Sequence, residues 1–151
     1  MVVNKGPEKG TVMKLSQFIP SQRDDVIALW DRCGLLRHWN NPSLDIDRKM
    51  TDQNGTFLVG HVDGRLVATA MIGYDGHRGS INYLAIDPDC AGQGYGTVMM
   101  QAAEAFLLSK GCPKINLCVR RDNEVAAGFY RELGYGAEDV LYFGKRLIVD
   151  K

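Results

Sequence analysis

The spacing of apolar residues in the first part of the chain predicts one strand and one helix. The strand is expected to begin near Thr11, because Met13 and Leu15 alternate with polar neighbours. The next apolar side chains recur at helical spacing, at Val26, Leu29, Trp30 and Cys33. This spacing predicts a helix with one buried face, and Ser21 and Gly34 are residue types that begin and end such a helix.

The middle of the chain predicts a short helix followed by three strands. The helix is expected over residues 44–51. The apolar runs that predict the strands are residues 57–62, 65–72 and 80–86. The first two runs are joined by Asp63-Gly64, a dipeptide typical of a two-residue hairpin turn. A second turn, at residues 75–79, leads into the third of these strands.

The last part of the chain predicts helices and strands in alternation. A helix over residues 94–110 is apolar on most of its circumference, so we expect a sheet to cover it. The remaining elements are a strand, a helix and a strand, at residues 114–119, 122–133 and 140–148. The order is therefore one strand, two helices, three strands, and then helix, strand, helix and strand. This order is typical of an α/β fold with a mixed sheet.

Three alternate glycines mark the point where the fourth predicted strand ends. Pro88 stops the strand, and Gly92, Gly94 and Gly96 follow before the next helix. Glycine permits positive φ and a close approach of a ligand to the backbone. The N–H groups that open a helix have no intrahelical partner and favour an anion. The loop therefore predicts a phosphate site, with a tight strand-to-helix turn as the alternative that binds nothing.

Two common nucleotide motifs do not fit this loop. A P-loop ends in Gly-Lys-Ser or Gly-Lys-Thr, and this chain has Gly96-Thr97-Val98 without the lysine. The dinucleotide-binding motif has the spacing Gly-x-Gly-x-x-Gly after the first strand, whereas this loop comes past mid-chain with glycine at every second position. Both nucleotide motifs are therefore disfavoured.

Composition and charge exclude several further classes of function and partner. The 151 residues fit one domain, which we expect over residues 11–151, with residues 1–10 as a disordered arm or a cloning remnant. Lys and Arg number 18, as do Asp and Glu, so no net charge attracts nucleic acid or an anionic membrane. No apolar run approaches the roughly 20 residues of a membrane span. The four cysteines show no Cys-x-x-Cys pair, which argues against zinc and fits reduced thiols in the cytoplasm.

The order of elements, with the fourth strand leading into the glycine loop, resembles the GNAT superfamily of N-acetyltransferases. The loop pattern of that family, Gln/Arg-x-x-Gly-x-Gly/Ala, falls on residues 91–96. A second pattern of the family falls on Asn123, Ala126, Tyr130, Gly134 and Tyr135. The resemblance covers about residues 11–148 and implies an acyl-CoA N-acyltransferase fold, with a splayed central sheet flanked by helices. Ala91 departs from the family's Arg or Gln, which leaves the strength of coenzyme binding open.

The chemistry that the resemblance implies is direct attack of an amine on acetyl-CoA in a ternary complex. The second pattern places Tyr130 where the resemblance implies the general acid, and its phenol, which stays protonated at neutral pH, can donate to the departing thiolate. Read without the family, Tyr130 is a core residue and Asn123 a helix N-cap. The residues implied to bind coenzyme A are Leu84, Ala85, Ile86, Ala91, Gly92, Gln93, Gly94, Tyr95, Gly96, Thr97, Asn123 and Tyr130.

The general base and the acceptor are less well defined. Family members often carry a glutamate early in the fourth strand, and this chain has none there. Water held by Ser80 or Asn82 is therefore the preferred base, with Asp75 or His77 as second choices. The residues expected to line the acceptor pocket are Trp39, Asn40, Asp75, His77, Arg78 and Tyr83, against turn formation or loop packing as the alternative role.

Three functions remain open from the sequence. The first is an N-acetyltransferase that acts on a small-molecule or peptide amine, with no metal and no nucleic-acid partner. The second is a regulatory module that binds acyl-CoA without turnover, for which Ala91 and the missing carboxylate base are the evidence. The third is a protein N-terminal acetyltransferase, which shares the fold. A homodimer is also left open.

Overall fold

In the computed structural model, residues 7–151 are described, and they form five strands and four α-helices. The strands are β1 (Lys14–Gln17), β2 (Thr56–Val62), β3 (Arg65–Tyr74), β4 (Gly79–Ile86) and β5 (Ile115–Asn116). The helices are α1 (Arg23–Arg32), α2 (Pro42–Met50), α3 (Tyr95–Ser109) and α4 (Glu124–Glu132). Of the predicted N-terminal arm, residues 1–6 lie outside the described residues. Glu8 and Thr11 close a turn in the remainder.

The five strands form one sheet in the order β1-β2-β3-β4-β5. The first four strands pair antiparallel, and β5 pairs parallel with β4. This parallel pairing covers only Gly79 with Ile115 and Ser80 with Asn116, although β4 continues to Ile86. The carboxyl half of β4 therefore diverges from its neighbour. The predicted α/β fold class with a splayed mixed sheet is confirmed.

A bulge interrupts β4 close to the point of divergence. Thr69 lies opposite Ala85, and Met71 lies opposite Asn82. Two residues of β4, Tyr83 and Leu84, therefore face a single residue of β3. Tyr83 has a φ of +50°, which is rare for a residue with a side chain. The bulge bends the strand and changes the direction of its backbone groups.

Both faces of the sheet are covered by helices. On one face α3 buries Met99, Met100, Ala103 and Leu107, which confirms that the mostly apolar helix packs on the sheet. The other face carries α1 and α2, whose buried side chains are Val26, Leu29, Trp30 and Ile46. Trp30 is fully buried, as its helical spacing predicts. No helix among residues 7–151 combines the length and apolar character that a membrane crossing requires.

Several predicted turns and caps are confirmed. Asp63 and Gly64 both have positive φ between β2 and β3, as a two-residue hairpin requires. Gly34, with a φ of +69°, follows the end of α1. The prediction that Ser21 caps α1 is wrong, because residues 20–22 form a short 3-10 turn and the helix starts at Arg23.

The second helix begins two residues earlier than the sequence predicted, at residue 42 and not at residue 44. α2 begins at Pro42, because the side chain of Asn41 accepts hydrogen bonds from the N–H groups of Ser43 and Leu44. Proline at the first helical position fits the cap, since its missing N–H has no intrahelical partner there in any case.

The predicted sixth strand, over residues 140–148, is wrong. No strand is found beyond Asn116 among the described residues, and the fifth strand is limited to two residues rather than residues 114–119. Because β5 is so short, it offers little edge for a further strand. The large apolar side chains of the last segment are 66–86% exposed: Val140, Leu141, Tyr142, Phe143, Leu147, Ile148 and Val149.

Candidate active site

The glycine loop follows directly on the diverging half of β4. Gly92 and Gly94 have φ of +77° and +80°, conformations that a side chain disfavours. α3 begins at Tyr95, with Gly94 as its N-cap. In the described part of the chain, the N–H groups of residues 92–97 make no hydrogen bond to another protein group. The loop and the helix start therefore present a run of free donors, which is the chemistry of a phosphate site.

The third glycine of the loop serves helix packing. A Cβ on Gly96 would lie 3.1 Å from Cζ of Phe129, so the start of α3 approaches α4 closely at this position. Gly92 and Gly94 have no atom within 4 Å of a built Cβ, so only their backbone conformation requires glycine. The alternate glycines thus have two physical causes, positive φ at two positions and close approach at the third.

A buried carboxylate anchors the start of the loop. Asp87 is 1% exposed, and its Oδ2 accepts hydrogen bonds from Arg32 at 2.9 Å and Arg65 at 3.0 Å. Its Oδ1 accepts from the N–H of Asp89 at 3.0 Å. Burial alone raises the pKa of Asp87, but the N–H bond of Asp89 and the two guanidinium groups outweigh burial and lower it. The carboxylate stays charged and fixes the backbone ahead of the glycines.

Helix α4 brings Asn123 and Tyr130 to the side of the loop. Asn123 is the N-cap of α4, since its Oδ1 accepts from the N–H of Ala126 at 3.1 Å. Tyr130 is partly buried between the rings of Phe129 and Tyr135, with centroids at 5.1 and 5.8 Å. Burial raises the pKa of Tyr130. The hydroxyl therefore retains its proton at neutral pH, and it has no hydrogen-bond partner within residues 7–151.

The bulge in β4 is held by a chain of hydrogen bonds through the core. The indole Nε1 of Trp30 donates to Oγ1 of Thr69 at 2.9 Å, and Thr69 donates to the carbonyl of Tyr83 at 2.8 Å. The rings of Trp30 and Tyr83 stack at 3.8 Å. The Tyr83 hydroxyl donates to Oδ2 of Asp45 at 2.6 Å, and burial together with this carboxylate raises the pKa of Tyr83.

The residues of β4 divide between the two faces of the sheet. Leu84 and Ile86 pack with the α3 cluster, whereas Ala85 and Tyr83 pack with the α1 cluster. Before the bulge, Ile81 packs with the α3 cluster. Because side chains alternate along a strand, Ser80 and Asn82 face the α1 and α2 side, as Tyr83 does. Asn82 is exposed and Ser80 is partly buried.

The loop between α1 and α2 places Trp39 beside Arg120 and Asn40 beside Arg146. The guanidinium of Arg120 lies 5.7 Å from the centre of the Trp39 ring, and Trp39 remains 41% exposed. Asn40 accepts a hydrogen bond from Arg146 at 2.6 Å. An aromatic ring, an amide and two guanidinium groups thus meet at this edge of the molecule.

A carboxylate near the chain end fastens this region. Asp150 accepts from Arg48 at 2.7 Å and from the N–H of Asn41 at 2.9 Å. The hydrogen bond from Arg48 is the main reason that the pKa of Asp150 is lowered to about 2. The carboxylate is therefore ionised at neutral pH, and it holds the last residues beside the start of α2.

The turn between β3 and β4 is separate from this group. Oδ1 of Asp75 accepts from the N–H groups of His77 and Arg78, both at 2.7 Å. The side chain of Arg78 donates to the carbonyl of His77. These hydrogen bonds lower the pKa of Asp75 and stay within the turn. The contacts of these three residues in the described chain are those of turn formation, and none of them joins Trp39, Asn40 or Tyr83.

The interpretation of the sequence missed four residues that organise the site. Thr69 and Asp45 hold Tyr83, which lies 14 and 38 residues away in sequence, and Asp150 holds Arg48, which lies 102 residues away, so no local motif marks these roles. Asp87 carries a local signal, since an aspartate before proline is typical of a helix or turn cap. Its two arginine partners come from distant parts of the chain.

Comparisons with known proteins agree with this arrangement. Residues 18–135 match the acetyltransferase (GNAT) family. An acetyltransferase of Yersinia enterocolitica is 45% identical over 139 residues, which cover 92% of this chain and 99% of the relative. The aminoglycoside N-acetyltransferase AAC(6')-Iy, solved in complex with CoA, has a TM-score of 0.76 at 14% identity and covers 94% of this chain and 99% of its own.

A second similar structure is that of an enzyme named for a protein acceptor. The ribosomal-protein-S18-alanine N-acetyltransferase of Escherichia coli has a TM-score of 0.71 at 19% identity. The match covers 82% of this chain and 77% of that chain. At these identities both structures indicate the fold alone.

Proposed function

The chain belongs to the acetyltransferase (GNAT) family, and from this premise we propose that it transfers the acetyl group of acetyl-CoA to an amine by direct attack in a ternary complex. The observation that carries the proposal is the run of free N–H groups at residues 92–97, beside the diverging half of β4. A diphosphate needs several donors at short range, and these amides supply them without a side chain.

The residues present fit coenzyme A. The amides of residues 92–97 would hold the diphosphate, and the unpaired edge of β4 at residues 84–86 would accept an extended pantetheine arm as an added strand. Acetyl-CoA, when bound, supplies a thioester that a neutral amine can attack. Asn123 lies at the start of α4, where it caps the helix, and from this position it is proposed to contact the coenzyme.

Tyr130 is the proposed general acid. Its phenol keeps a proton at neutral pH because burial raises its pKa further above the usual value of about 10. A departing thiolate, with an ordinary pKa of about 8.5, accepts a proton from such a group readily. The free hydroxyl of Tyr130 supports this role, since no hydrogen bond to another described residue occupies it.

The general base is proposed to be water held by Ser80 or Asn82. Both side chains face the α1 and α2 side of the sheet, next to the bulge at Tyr83. Asp75 and His77 remain second choices with less support, because Asp75 already accepts two hydrogen bonds in its own turn. A solvent-exposed amide such as Asn82 can order a water without itself changing charge.

We propose a small-molecule amine as the acceptor, entering beside Trp39, Asn40 and Tyr83. Residues near the end of the chain cross this edge, where Arg146 contacts Asn40 and Asp150 contacts Asn41. A protein N-terminal acetyltransferase needs an open groove for a peptide, and we take these contacts, which tie the last residues to the loop before α2, as support for a smaller acceptor. A peptide amine is therefore the second candidate, with the fold of the ribosomal-protein enzyme as its support.

The alternative from another class is a regulatory module that binds acyl-CoA without turnover. Its support is Ala91, whose N–H donates to the carbonyl of Pro88 at 3.2 Å and whose side chain cannot cap a diphosphate. The loss of this side-chain cap does not exclude an enzyme, because the free amides of residues 92–97 can still bind the coenzyme, although more weakly.

An amine-panel assay separates these functions. The purified chain is incubated with acetyl-CoA and single amines, and the release of the coenzyme A thiol is followed by a thiol reagent. Release that depends on the amine supports the enzyme, with small amines outperforming peptides. Tight coenzyme binding by mass spectrometry, with no release across small amines and peptides, would contradict the proposal in favour of the module.

We further propose a homodimer. The support is the exposed apolar segment at residues 140–149, which a monomer leaves in contact with water. A second copy is the partner most readily available to cover it, because most oligomers of soluble proteins are symmetric dimers.

A further inference from the structure

The peptide bond between Tyr83 and Leu84 lies in a part of β4 with an unusual backbone conformation. It lies in the bulge of β4, and Tyr83 has the positive φ that side chains disfavour. Such a conformation persists only where the surroundings fix it, and conformations of this kind cluster at functional sites. The surroundings in this chain are therefore informative about function.

Three contacts fix the bulge residue Tyr83. Thr69 donates to its carbonyl, Trp30 stacks on its ring at 3.8 Å, and Asp45 accepts from its hydroxyl. Thr69 and Trp30 are both 0% exposed, so water cannot replace either partner. Three separate elements thus hold Tyr83: β3 binds its carbonyl, α1 stacks on its ring and α2 binds its hydroxyl.

The direction of the hydrogen-bond chain is set by chemistry. An indole N–H donates only, so Thr69 must accept from Trp30. The single hydroxyl proton of Thr69 then remains for the carbonyl of Tyr83. Each bond in such a chain strengthens the next, because donation polarises the group that receives it.

The carbonyl of Tyr83 and the N–H of Leu84 belong to the same peptide. No cis peptide is present among the described residues, so the two groups point in opposite directions. The carbonyl points toward Thr69 on β3. The N–H of Leu84 therefore points away from the Thr69 hydroxyl, and we infer that it faces the edge of β4 that β5 leaves unpaired, where the coenzyme is proposed to bind.

With the pantetheine arm paired to residues 84–86, as the proposed function has it, the Leu84 N–H is the donor that faces the thioester oxygen. We propose that Thr69 and Trp30 are positioning residues for acetyl transfer, because through the Tyr83 carbonyl they orient and polarise this N–H. This inference rests on the proposed function. It assigns a catalytic purpose to two buried side chains on α1 and β3 that never contact the coenzyme. A preorganised N–H donor is worth a factor of about 100 in turnover in other acyl-transfer enzymes.

Substitution of Thr69 provides the kinetic test. Thr69→Val keeps the volume and removes the hydroxyl, so kcat should fall by about tenfold or more, while KM for acetyl-CoA stays within about twofold. Thr69→Ser restores the hydroxyl and should recover most of the lost turnover. Thr56→Val is the matched control, since Thr56 is also buried in the sheet but lies on β2, away from the bulge.

A spectroscopic measurement reads the N–H directly and does not depend on turnover. In ¹⁵N-labelled protein, replacing bound coenzyme A by acetyl-CoA should move the Leu84 amide proton downfield more than any other amide of β4. In Thr69→Val this difference should fall to less than half. The measurement on the unsubstituted protein also stands if the valine variant does not fold.

The outcomes separate this inference from the proposed function. A Leu84 amide that does not distinguish acetyl-CoA from coenzyme A, while residues 92–97 respond to both, overturns the inference alone. Full kcat in a folded Thr69→Val variant does the same. A chain that binds no coenzyme and acetylates no amine contradicts the proposed function instead.

Discussion

Tyr130 lies among aromatic rings with its hydroxyl free, and this environment suits a group that must hold a proton. Tyr135, five residues later and beyond the end of α4, differs because its hydroxyl donates to Glu104 at 2.8 Å. The two residues share a cluster and a residue type but only Tyr130 has an unoccupied hydroxyl among the described contacts. This contrast supplies a matched pair for mutagenesis.

Removal of the Tyr130 hydroxyl tests its role as acid. Tyr130→Phe should lower kcat by about 100-fold, since a general acid contributes a factor of this size, and leave KM for acetyl-CoA nearly unchanged. Tyr135→Phe should leave both parameters within about twofold. Steady-state kinetics on an accepted amine measures both. Equal turnover in Tyr130→Phe and the unsubstituted chain would rule out Tyr130 as the acid.

Asp87 is the residue whose charge most directly affects stability. Its pKa is lowered in the folded chain, so the carboxylate stabilises the fold fully above the unfolded-state pKa of about 3.9 and progressively less as the pH falls through the folded value. Asp87→Asn removes the charge that pairs with two arginines and should lower the free energy of unfolding at pH 7 by about 2 kcal/mol. The loss is smaller than for a fully buried pair, because both arginines are partly exposed and regain water.

Urea unfolding at pH 7 and at pH 3 measures this effect of Asp87. The difference in the free energy of unfolding between the original chain and Asp87→Asn should shrink at pH 3. A difference that is the same at both pH values would show that the charge of Asp87 does not contribute. Asp89→Asn is the control, because Asp89 is exposed and its closest guanidinium lies at 3.5 Å.

At the scale of elements, the glycine loop and the start of α3 act as one unit. The loop enters the helix with two residues in the left-handed region, which turns the free N–H groups outward without a side chain in the way. Asp87 holds the strand end of this unit, and the contact of Gly96 with Phe129 holds the helix end against α4.

A matched pair of glycines separates strain from function in this loop. Gly92 and Gly64 have the same φ of +77°, and neither has an atom within 4 Å of a built Cβ. Alanine at either position should cost about 1 kcal/mol in stability for the backbone strain alone. Gly92→Ala should also raise the dissociation constant for coenzyme A about tenfold by displacing donors, whereas Gly64→Ala should not. Equal affinities in the two variants, measured by calorimetry, would contradict the assignment of the loop.

The sequence predicted these elements unevenly, for physical reasons. Local signals were enough for the β2–β3 hairpin at Asp63-Gly64 and for the glycine loop, because turn chemistry depends on neighbouring residues. The alternation at residues 140–148 is a strand pattern, but a strand also needs an edge to pair with, and β5 ends after two residues. Thr69 and Asp45 were missed because their roles depend on partners that only the tertiary fold brings close.

Across the whole molecule, the exposed segment at residues 140–149 supports the proposed homodimer. Leu141 and Phe143 are among its most exposed side chains, and Leu108 on α3 is exposed to a similar degree outside the segment. Sedimentation equilibrium should give a dimer for the original chain. Leu141→Ser with Phe143→Ser should shift the chain to monomer, while Leu108→Ser should not. A monomeric original chain would contradict the dimer, and an equal effect of Leu108→Ser would contradict residues 140–149 as its interface.

The sheet organises the site at the same scale. The pairing of β4 with β5 ends after Ser80, the glycine loop follows the unpaired half of β4, and Tyr130 of α4 packs with the α3 cluster on one face. The opposite face carries α1 and α2, which support the bulge at Tyr83 and border the proposed acceptor side. The two substrates of a ternary complex would therefore meet from opposite faces at the bulge.

The proposed activity depends on the backbone amides of residues 92–97 binding the diphosphate of coenzyme A. This binding can be measured by titrating ¹⁵N-labelled protein with coenzyme A and following the amide chemical shifts. The largest and saturable shifts should fall on residues 92–97. Saturable binding that leaves these amides unchanged and moves a different group of residues would contradict it.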